Sequence, residues 1–404
     1  MNIGILTYYR VANFGANLQA VSTYHYLKNN GHAPLFILYE SDETASNFRE
    51  RQAGGSQKEE HIRFVDAAIP GQSYRCHNAD DINRVIDEYG LDAIIIGSDA
   101  VLQHHPLRSR IKRGRRKPFY VEKMTPERIF PNCFWGCGLS DKVPMAMMSV
   151  SSQNSEYGYF GSRLTREMAE ALSRMRYLSV RDSWTRDMVA SITQGRITPP
   201  VTPDPVFAFN GNAGFLVPGE ESLREKYGLP PKYVLVSLLH QDLDICQMEE
   251  LKKEFDKHGM RCVAFPMPVG IRFKHPFEQE IGIPLPVMDW YGLIKHASAY
   301  VGSNMHPVIV SLHNGVPCHS IDYWGTTDFW GNHSDDGSSK VAHILEVFGL
   351  ERYRTVINKG KCDLDAGQVV KSIISFPRGQ VAARAASLAD DYGRMMRQIM
   401  TSLA

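Results

Sequence analysis

Three polar residues able to take part in chemistry stand close together late in the chain, in the segment VGSNMHPVIVSLHNGVP at positions 301–317. Ser303, Asn304 and His306 lie between a short apolar run and a stretch with helical periodicity. An imidazole at the start of a helix can act as a general acid or base, because its ordinary pKa is near neutral pH. The alternative is a histidine that only packs against its neighbours or caps the helix.

More polar residues follow other predicted strands, at the points where those strands end. Asn13 and Gly15 come after the first strand, Ser98 and Asp99 follow the apolar run AIII, and Arg181 follows YLSV. In open parallel sheets, ligands bind beyond the carboxyl ends of the strands, so these residues are candidate site residues. The same rule also selects Ala16, Ser149 to Gln153, Asp182 and His240.

Each candidate also has a purely structural interpretation. The turn after Asn13 could place backbone N–H groups around a phosphate or a sugar hydroxyl, or Asn13 could simply cap a helix. Asp99 could be a reactive carboxylate or a helix N-cap. Arg181 could bind a carboxylate or phosphate through its planar guanidinium, or it could pair with Asp182 or Asp204.

The elements that must position these residues alternate between strand and helix, twice over. This pattern predicts an α/β protein with two Rossmann-like domains that face a central cleft. We expect an N-terminal domain over residues 1–205, on the acceptor side, and a C-terminal domain over 206–380, on the donor side, with a segment rich in proline and glycine at the boundary. An amphipathic helix over 381–404 is expected to cross back to the first domain.

Composition narrows the class of protein further. The 404 residues carry 45 Lys and Arg against 44 Asp and Glu, so a general affinity for nucleic acid is not expected. The opening MNIGILTYYR lacks the features of a secretory signal, and no apolar run is long enough to span a membrane. Seven scattered cysteines suit reduced thiols, so we expect a cytoplasmic protein without a structural metal.

Two polar segments are predicted to be loops. The segment RSRIKRGRRKPF at 108–119 holds seven basic residues, which form either a solvated loop or a contact with phosphate or anionic lipid. Residues 40–60 are polar and contain several glycines and serines, which is typical of a mobile loop.

Five motifs in this order resemble the polysaccharide pyruvyl transferase family. They read GILTYYRVANFGANLQA, DAIIIGSDAVL, VPMAMMSVSSQ, LSVRDSWT with TPDPVF, and DWYGLIKHASAYVGSNMHPVIVSLHNGVPCHSID, and they span residues 3–322. The resemblance implies a GT-B-like fold and transfer of a pyruvyl group from phosphoenolpyruvate (PEP) to a sugar, where it forms a ketal across two hydroxyls. It implies no metal or redox cofactor.

The resemblance also implies roles for individual residues. His306 matches the histidine of an Arg-x-His signature and would be the general acid or base, while Asp99 would orient or deprotonate an acceptor hydroxyl. Arg181 would bind the anionic donor. Asn304 stands where the family usually has arginine, and an amide cannot replace that charge. The sequence offers Arg272, Lys274 and Lys295 as substitute cations.

Two other functions share this pattern. One is a GT-B glycosyltransferase that uses a nucleotide sugar, since fold alone does not separate the two chemistries. The other is a non-catalytic, saccharide-binding member of the family. For the favoured function we expect an acceptor that is lipid-linked, action at the inner face of the membrane, a peripheral membrane contact through residues 108–119, and a homo-oligomer.

Overall fold

A computed structural model of the chain describes most of its residues. The described ranges are 1–44, 55–112, 119–239, 242–267, 273–323, 325–327, 333–334, 336–357 and 362–404. No helix within these ranges is long and apolar enough to cross a membrane.

The first half of the chain forms a six-stranded parallel sheet with the order β3-β2-β1-β4-β7-β8. Its central strands are continuous apolar runs, as expected for strands buried on both faces. The strands are β1 Asn2–Leu6, β2 Ala33–Tyr39, β3 Gln72–Cys76, β4 Ala93–Asp99, β7 Met145–Val150 and β8 Met175–Val180.

The second half repeats this topology in another six-stranded parallel sheet, ordered β11-β10-β9-β12-β13-β16. Counted within each half, both sheets have the order 3-2-1-4-5-6 of a doubly wound nucleotide-binding fold. The strands are β9 Tyr233–Ser237, β10 Arg261–Ala264, β11 Gln279–Glu280, β12 Ala299–Gly302, β13 Cys318–Tyr323 and β16 Arg354–Ile357. Two short antiparallel pairs complete the strands: β5 Ile111–Lys112 with β6 Tyr120–Val121, and β14 Thr326–Thr327 with β15 His333–Ser334.

Helices connect the strands in both halves. Within the described ranges they are α1 Phe14–Asn29, α2 Gly55–Ala68, α3 Ala79–Glu88, α4 Leu107–Arg110, α5 Ser162–Ser173, α6 Ser183–Ile192, α7 Phe209–Ala213, α8 Glu220–Tyr227, α9 Ile245–Asp256, α10 Val287–Lys295, α11 Met305–His313, α12 Lys340–Val347, α13 Ala366–Ile374 and α14 Arg378–Leu403.

The two halves pack against each other through α1 and α2. The ring of Phe14 stacks on that of Trp290, with centroids 4.6 Å apart. Gln57 donates to the carbonyl of Leu285 at 3.0 Å and accepts from its N–H at 2.6 Å. One buried apolar cluster contains residues from both sheets, so the halves share part of a core.

The last helix, α14, begins at Arg378 and packs against β7 and β8 of the first sheet. The sulfur of its Met395 lies 3.2 Å from the hydroxyl oxygen of Ser149 and 3.4 Å from that of Ser179. The division of the chain at residue 205 stays a prediction.

One sequence expectation is wrong at the secondary-structure level. Residues 55–60 belong to α2 rather than to a loop, because Gln57, His61 and Val65 recur at helical spacing and are buried. Residues 45–54 lie outside the described residues.

Candidate active site

The starts of four helices lie close to the candidate residues. Helix α1 begins at Phe14, α6 at Ser183, α11 at Met305 and α12 at Lys340. Contacts or electrostatic interactions connect the residues at these helix starts. Because the N-terminus of a helix carries partial positive charge and unpaired N–H groups, this arrangement favours an anionic ligand.

His306 lies in the first turn of α11 and packs against the start of α1. A β-carbon built on Gly15 would lie 2.1 Å from Cδ2 and 2.2 Å from Nε2 of His306, so only glycine fits there. Neither ring nitrogen of His306 forms a hydrogen bond with a described residue, and Nε2 is buried. Asn13 is the N-cap of α1, and its side chain accepts from the N–H of Ala16 at 3.3 Å.

Burial lowers the pKa of His306 to about 4. The carboxylates of Asp204 and Asp99 act in the opposite direction, while the cations Arg181 and Lys340 lower the pKa further. The imidazole is therefore neutral at pH 7 in the free protein and suited to accept a proton.

Arg181 follows β8 and forms a buried ion pair. Its Nη1 lies 2.7 Å from Oδ2 of Asp204, and the residue is only 4 % exposed. Gln19 also donates to Oδ2 of Asp204, at 2.5 Å. The Nη2 of Arg181 is buried and has no hydrogen-bond partner among the described residues. Arg181 thus pairs with Asp204 rather than Asp182, and one of its nitrogens remains available to a ligand.

Asp182, next to Arg181, has a structural task. It is the N-cap of α6, where one carboxylate oxygen accepts from the N–H of Thr185 at 2.7 Å and the other from the hydroxyl of Ser151 at 2.8 Å. Together with Ser149, whose hydroxyl donates to the carbonyl of Pro203, these bonds hold the ends of β7 and β8 in place.

Lys340, at the start of α12, was not among the sequence candidates. Burial lowers its pKa to about 8, and Arg181 adds to this effect, whereas the carboxylates of Asp99, Asp182 and Asp204 oppose it. Its ammonium makes no hydrogen bond or ion pair with any residue that the structure describes. The sequence signal was a lysine in a first helical turn, where the helix dipole disfavours a cation.

Asp99 ends β4 and is not a helix N-cap, so that structural interpretation is wrong. Its backbone has φ +104°, a conformation rare outside glycine, and its carboxylate accepts from the N–H of Ala100 at 2.7 Å. No helix starts there because residues 100–106 continue as irregular chain. The hydroxyl of Ser98 is buried without a partner among the described residues, and the Ser98 carbonyl accepts from the Thr7 hydroxyl.

Ser303 and Asn304 differ in what they contact. The Ser303 hydroxyl donates to Asp242, whose other carboxylate oxygen accepts from Tyr323 at 3.1 Å, so Ser303 helps to hold this loop. Asn304 is the N-cap residue of α11, but its side chain caps no N–H group. Its amide is therefore available to a ligand.

The substitute cations proposed from sequence do not complete this cluster. Lys295 reaches Asn210 at 3.5 Å and acts on the pKa of His313 at the far end of α11. Lys274 is exposed, and no interaction connects it to His306. Arg272 and His240 lie outside the described residues.

The described residues of the basic segment contact side chains and backbone outside this cluster. Within it, α4, β5 and β6 are described, and residues 113–118 are not. Arg108 stacks over the ring of Tyr159 at 4.3 Å, and Arg110 donates to the carbonyl of Glu122 at 3.0 Å.

A cavity of about 820 Å³ lies beside Arg181 and Asp204, on the side of α14. Its wall includes neither His306 nor Lys340. Of the groups of Arg181, His306 and Lys340 that lack a partner within the described ranges, only that of Arg181 belongs to a residue lining this cavity. Among the described residues, no group of three or more His, Cys, Asp or Glu could hold a metal ion.

Comparison with solved structures defines the class of fold. The UDP-GlcNAc 2-epimerase of Methanocaldococcus jannaschii superimposes with a TM-score of 0.55 at 9% identity, covering 99% of both chains. The Neisseria meningitidis UDP-GlcNAc 2-epimerase, bound to UDP-GlcNAc, gives 0.51 at 8% identity, covering 100% of this chain and 99% of that chain. Anabaena Alr3699/HepE in complex with UDP gives 0.50 at 9% identity, with coverages of 100% and 99%. The fold is GT-B-like, as the sequence predicted.

The family is shown by a sequence comparison. The model of the polysaccharide pyruvyl transferase family matches residues 13–325, which include α1, β4, β8 and α11, and the chain belongs to this family. Comparison with curated proteins found no match.

Proposed function

We propose that the protein transfers a pyruvyl group from PEP to a saccharide, where it forms a ketal, during synthesis of a surface polysaccharide. The observation that supports this most is the pair of cations at the cleft, Nη2 of Arg181 and Nζ of Lys340, neither of which has a partner among the described residues. They belong to different halves of the chain, and the charge of Arg181 lowers the pKa of Lys340.

PEP suits this pair because it carries a phosphate and a carboxylate on adjacent positions. The planar guanidinium of Arg181 is held in one orientation by Asp204, and such a group matches a carboxylate or phosphate well. Lys340 provides a point charge at the start of a helix. We therefore assign to Lys340 the positive charge that Asn304 lacks, while the Asn304 amide donates hydrogen bonds to the donor.

The reaction needs two proton transfers. A proton adds to C3 of the enol, an acceptor oxygen bonds to C2, and the C2–O bond to phosphate breaks. A second hydroxyl of the same sugar then bonds to C2 and closes the ketal. Of the two hydroxyl protons released, one replaces the proton that entered the new methyl group and the other leaves with hydrogenphosphate, so protons and charge balance.

His306 and Lys340 suit these two transfers. The neutral imidazole of His306 accepts the hydroxyl proton, and Lys340, whose pKa is about 8, is protonated at pH 7 and donates toward C3. The charge of Asp99 raises the pKa of both residues, so its carboxylate is close to both proton-transfer groups. We assign to it the orientation of the acceptor hydroxyl. Asn13 and Gly15 shape the start of α1 against His306, so that its N–H groups face the anion.

The test is PEP-dependent phosphate release in the presence of a mixture of lipid-linked and free saccharides. We expect release from the wild-type protein and a loss of about 100-fold or more in His306→Ala, the scale of a lost acid–base group. Lys340→Met removes the proposed cation of α12. Its matched control is Lys371→Met, which removes an exposed lysine of α13. Turnover of a nucleotide sugar instead would favour a glycosyltransferase, and saccharide binding without either turnover would favour a non-catalytic role.

Location is a separate proposal. We infer that the protein acts in the cytoplasm at the inner membrane face, as a homo-oligomer, with residues 108–119 contacting anionic headgroups or the diphosphate of a lipid-linked acceptor. Co-sedimentation with phosphatidylglycerol vesicles tests this contact. Replacing Arg108, Arg110 and Lys112 by glutamine should reduce binding, and unchanged binding would contradict the proposal.

A further inference from the structure

A second, smaller cavity lies in the first half of the chain, beyond the carboxyl ends of β1 and β2. Its volume is about 220 Å³, and its wall includes Tyr8, Tyr9, Tyr39, Glu40, Arg75 and Glu127. Helix α2 supplies part of the opposite wall. None of the residues assigned to the donor lines it.

The tyrosines give this cavity both flat apolar faces and free hydroxyls. Tyr8 packs against Phe134, with ring centroids 4.8 Å apart and the rings inclined at 56°. Its hydroxyl makes no hydrogen bond with any described residue. Tyr9 is 1% exposed, and its hydroxyl is buried without a partner within the described ranges. A buried hydroxyl without a partner is costly, so this atom indicates a missing polar ligand.

The charged residues of the wall are held firmly and carry both signs. Glu127 is 1% exposed and accepts from the N–H of Ser41 at 2.6 Å and from the hydroxyl of Thr44. Arg75 lies 3.3 Å from a carboxylate oxygen of Glu40. The wall also includes Arg10, which pairs with Asp66, and Lys58. Its cations and carboxylates are therefore nearly balanced and offer both donors and acceptors. A neutral ligand rich in hydroxyl groups fits them better than an anion does.

The cavity adjoins the proposed reactive position through the end of β4. Thr7, which also lines the cavity, donates its hydroxyl to the carbonyl of Ser98. Burial raises the pKa of Tyr8, and the carboxylates of Glu127 and Asp99 raise it further. The charge of Asp99 therefore acts on the pKa of Tyr8 at the cavity and also on those of His306 and Lys340.

We propose that this cavity binds the sugar ring that accepts the pyruvyl group, with one ring face against Tyr8 and a ring hydroxyl on Tyr9. This rests on the proposed function, because it assumes that an acceptor must reach Asp99. The small volume limits the bound part to about one sugar ring, far below the pocket of a drug-sized ligand. The remainder of the saccharide extends into solvent.

Saturation-transfer NMR with methyl glycosides tests the proposal. The probes are the methyl glycosides of glucose, galactose and mannose and of their 2-acetamido counterparts. We expect at least one to bind the wild-type protein, with affinity reduced about tenfold or more in Tyr8→Ala, as for a lost stacking contact and its buried area. Tyr9→Phe removes only the hydroxyl, tests that hydrogen bond without changing the core, and should weaken the same probe. Tyr159→Phe, at an exposed tyrosine outside the cavity, is the matched control.

Calorimetric titration of PEP into the same variants separates the two proposals. If PEP binds all variants alike and the glycoside loses affinity in Tyr8→Ala and Tyr9→Phe, the acceptor site is supported. If PEP binds but no glycoside does, or if both variants bind the glycoside as the wild type does, the acceptor site is wrong. If a glycoside binds in this Tyr8-dependent way and PEP does not bind, the cavity is a sugar site and the donor assignment fails instead.

Discussion

Gly15 and His306 are in direct contact across the two halves of the fold, and a β-carbon at position 15 would overlap the imidazole ring. This contact fixes the distance between the start of α1 and the start of α11. It also explains why the second residue of α1 is glycine. The φ angle of Gly15 is not positive, so the backbone conformation alone does not require glycine there.

Gly15→Ala should therefore reduce activity for a steric reason. We expect a loss of about 1–3 kcal/mol of stability from overpacking, together with a decrease in phosphate release because His306 must move. Gly211→Ala is the control, since Gly211 is also helical and a β-carbon there meets nothing within 4 Å. Equal thermal unfolding and equal activity in both variants would show that His306 tolerates displacement.

Lys340 should govern the alkaline side of the pH profile of kcat/KM. With a pKa of about 8, Lys340 loses its proton above that pH, so activity should fall there. Lys340→Arg keeps the charge to much higher pH, so in this variant any remaining activity should persist beyond pH 8. A decrease near pH 8 that is unchanged in Lys340→Arg would assign the titration to another group.

The buried pair of Arg181 and Asp204 should be costly to break from one side. Asp204→Asn leaves a buried guanidinium without its counter-charge, and we expect a loss of about 3–5 kcal/mol in urea unfolding. Glu167→Gln, which breaks the exposed pair with Arg163, should change stability by less than about 0.5 kcal/mol. Similar losses in the two variants would contradict the assignment of Arg181 to a desolvated site.

His306 should make the protein less stable in acid. The unfolded chain protonates this residue near pH 6.5, whereas the folded protein does so only near pH 4. Because the unfolded state binds more protons between these values, the free energy of unfolding falls as the pH drops through this window. Replacing His306 by Asn should remove about 1–3 kcal/mol of the loss between pH 7 and pH 5. Parallel pH dependence in both proteins would show that His306 is not desolvated.

Much of the fold was predictable because it depends on local periodicity. The apolar runs at β4 and β7 and the helical pattern after β1 led to two parallel sheets, and the topology rule then selected the strand ends. Arg181, His306 and Ser98 lie at or just after those strand ends, and each has a buried polar atom without a hydrogen-bond partner among the described residues.

What could not be predicted depends on tertiary packing. Lys340 follows a stretch without periodicity, and its low pKa comes first from burial and then from the charge of Arg181, both of which depend on tertiary packing. The cap assigned to Asp99 required a helix that the chain does not form there. The cavity lined by Tyr8, Tyr9 and Tyr39 brings together β1, β2, α2 and Glu127, which are distant in sequence, so no local pattern could indicate it.

Calorimetric titration of PEP into the wild-type protein and into Lys340→Met tests the central claim most directly, with Lys371→Met as the matched control and UDP-GlcNAc as the second ligand. We expect PEP to bind the wild type and Lys371→Met alike and to bind Lys340→Met about tenfold or more weakly, since a charged hydrogen bond is lost. Equal affinity for PEP in the wild type and in Lys340→Met would contradict the proposed donor site. Binding of UDP-GlcNAc without binding of PEP would contradict it as well.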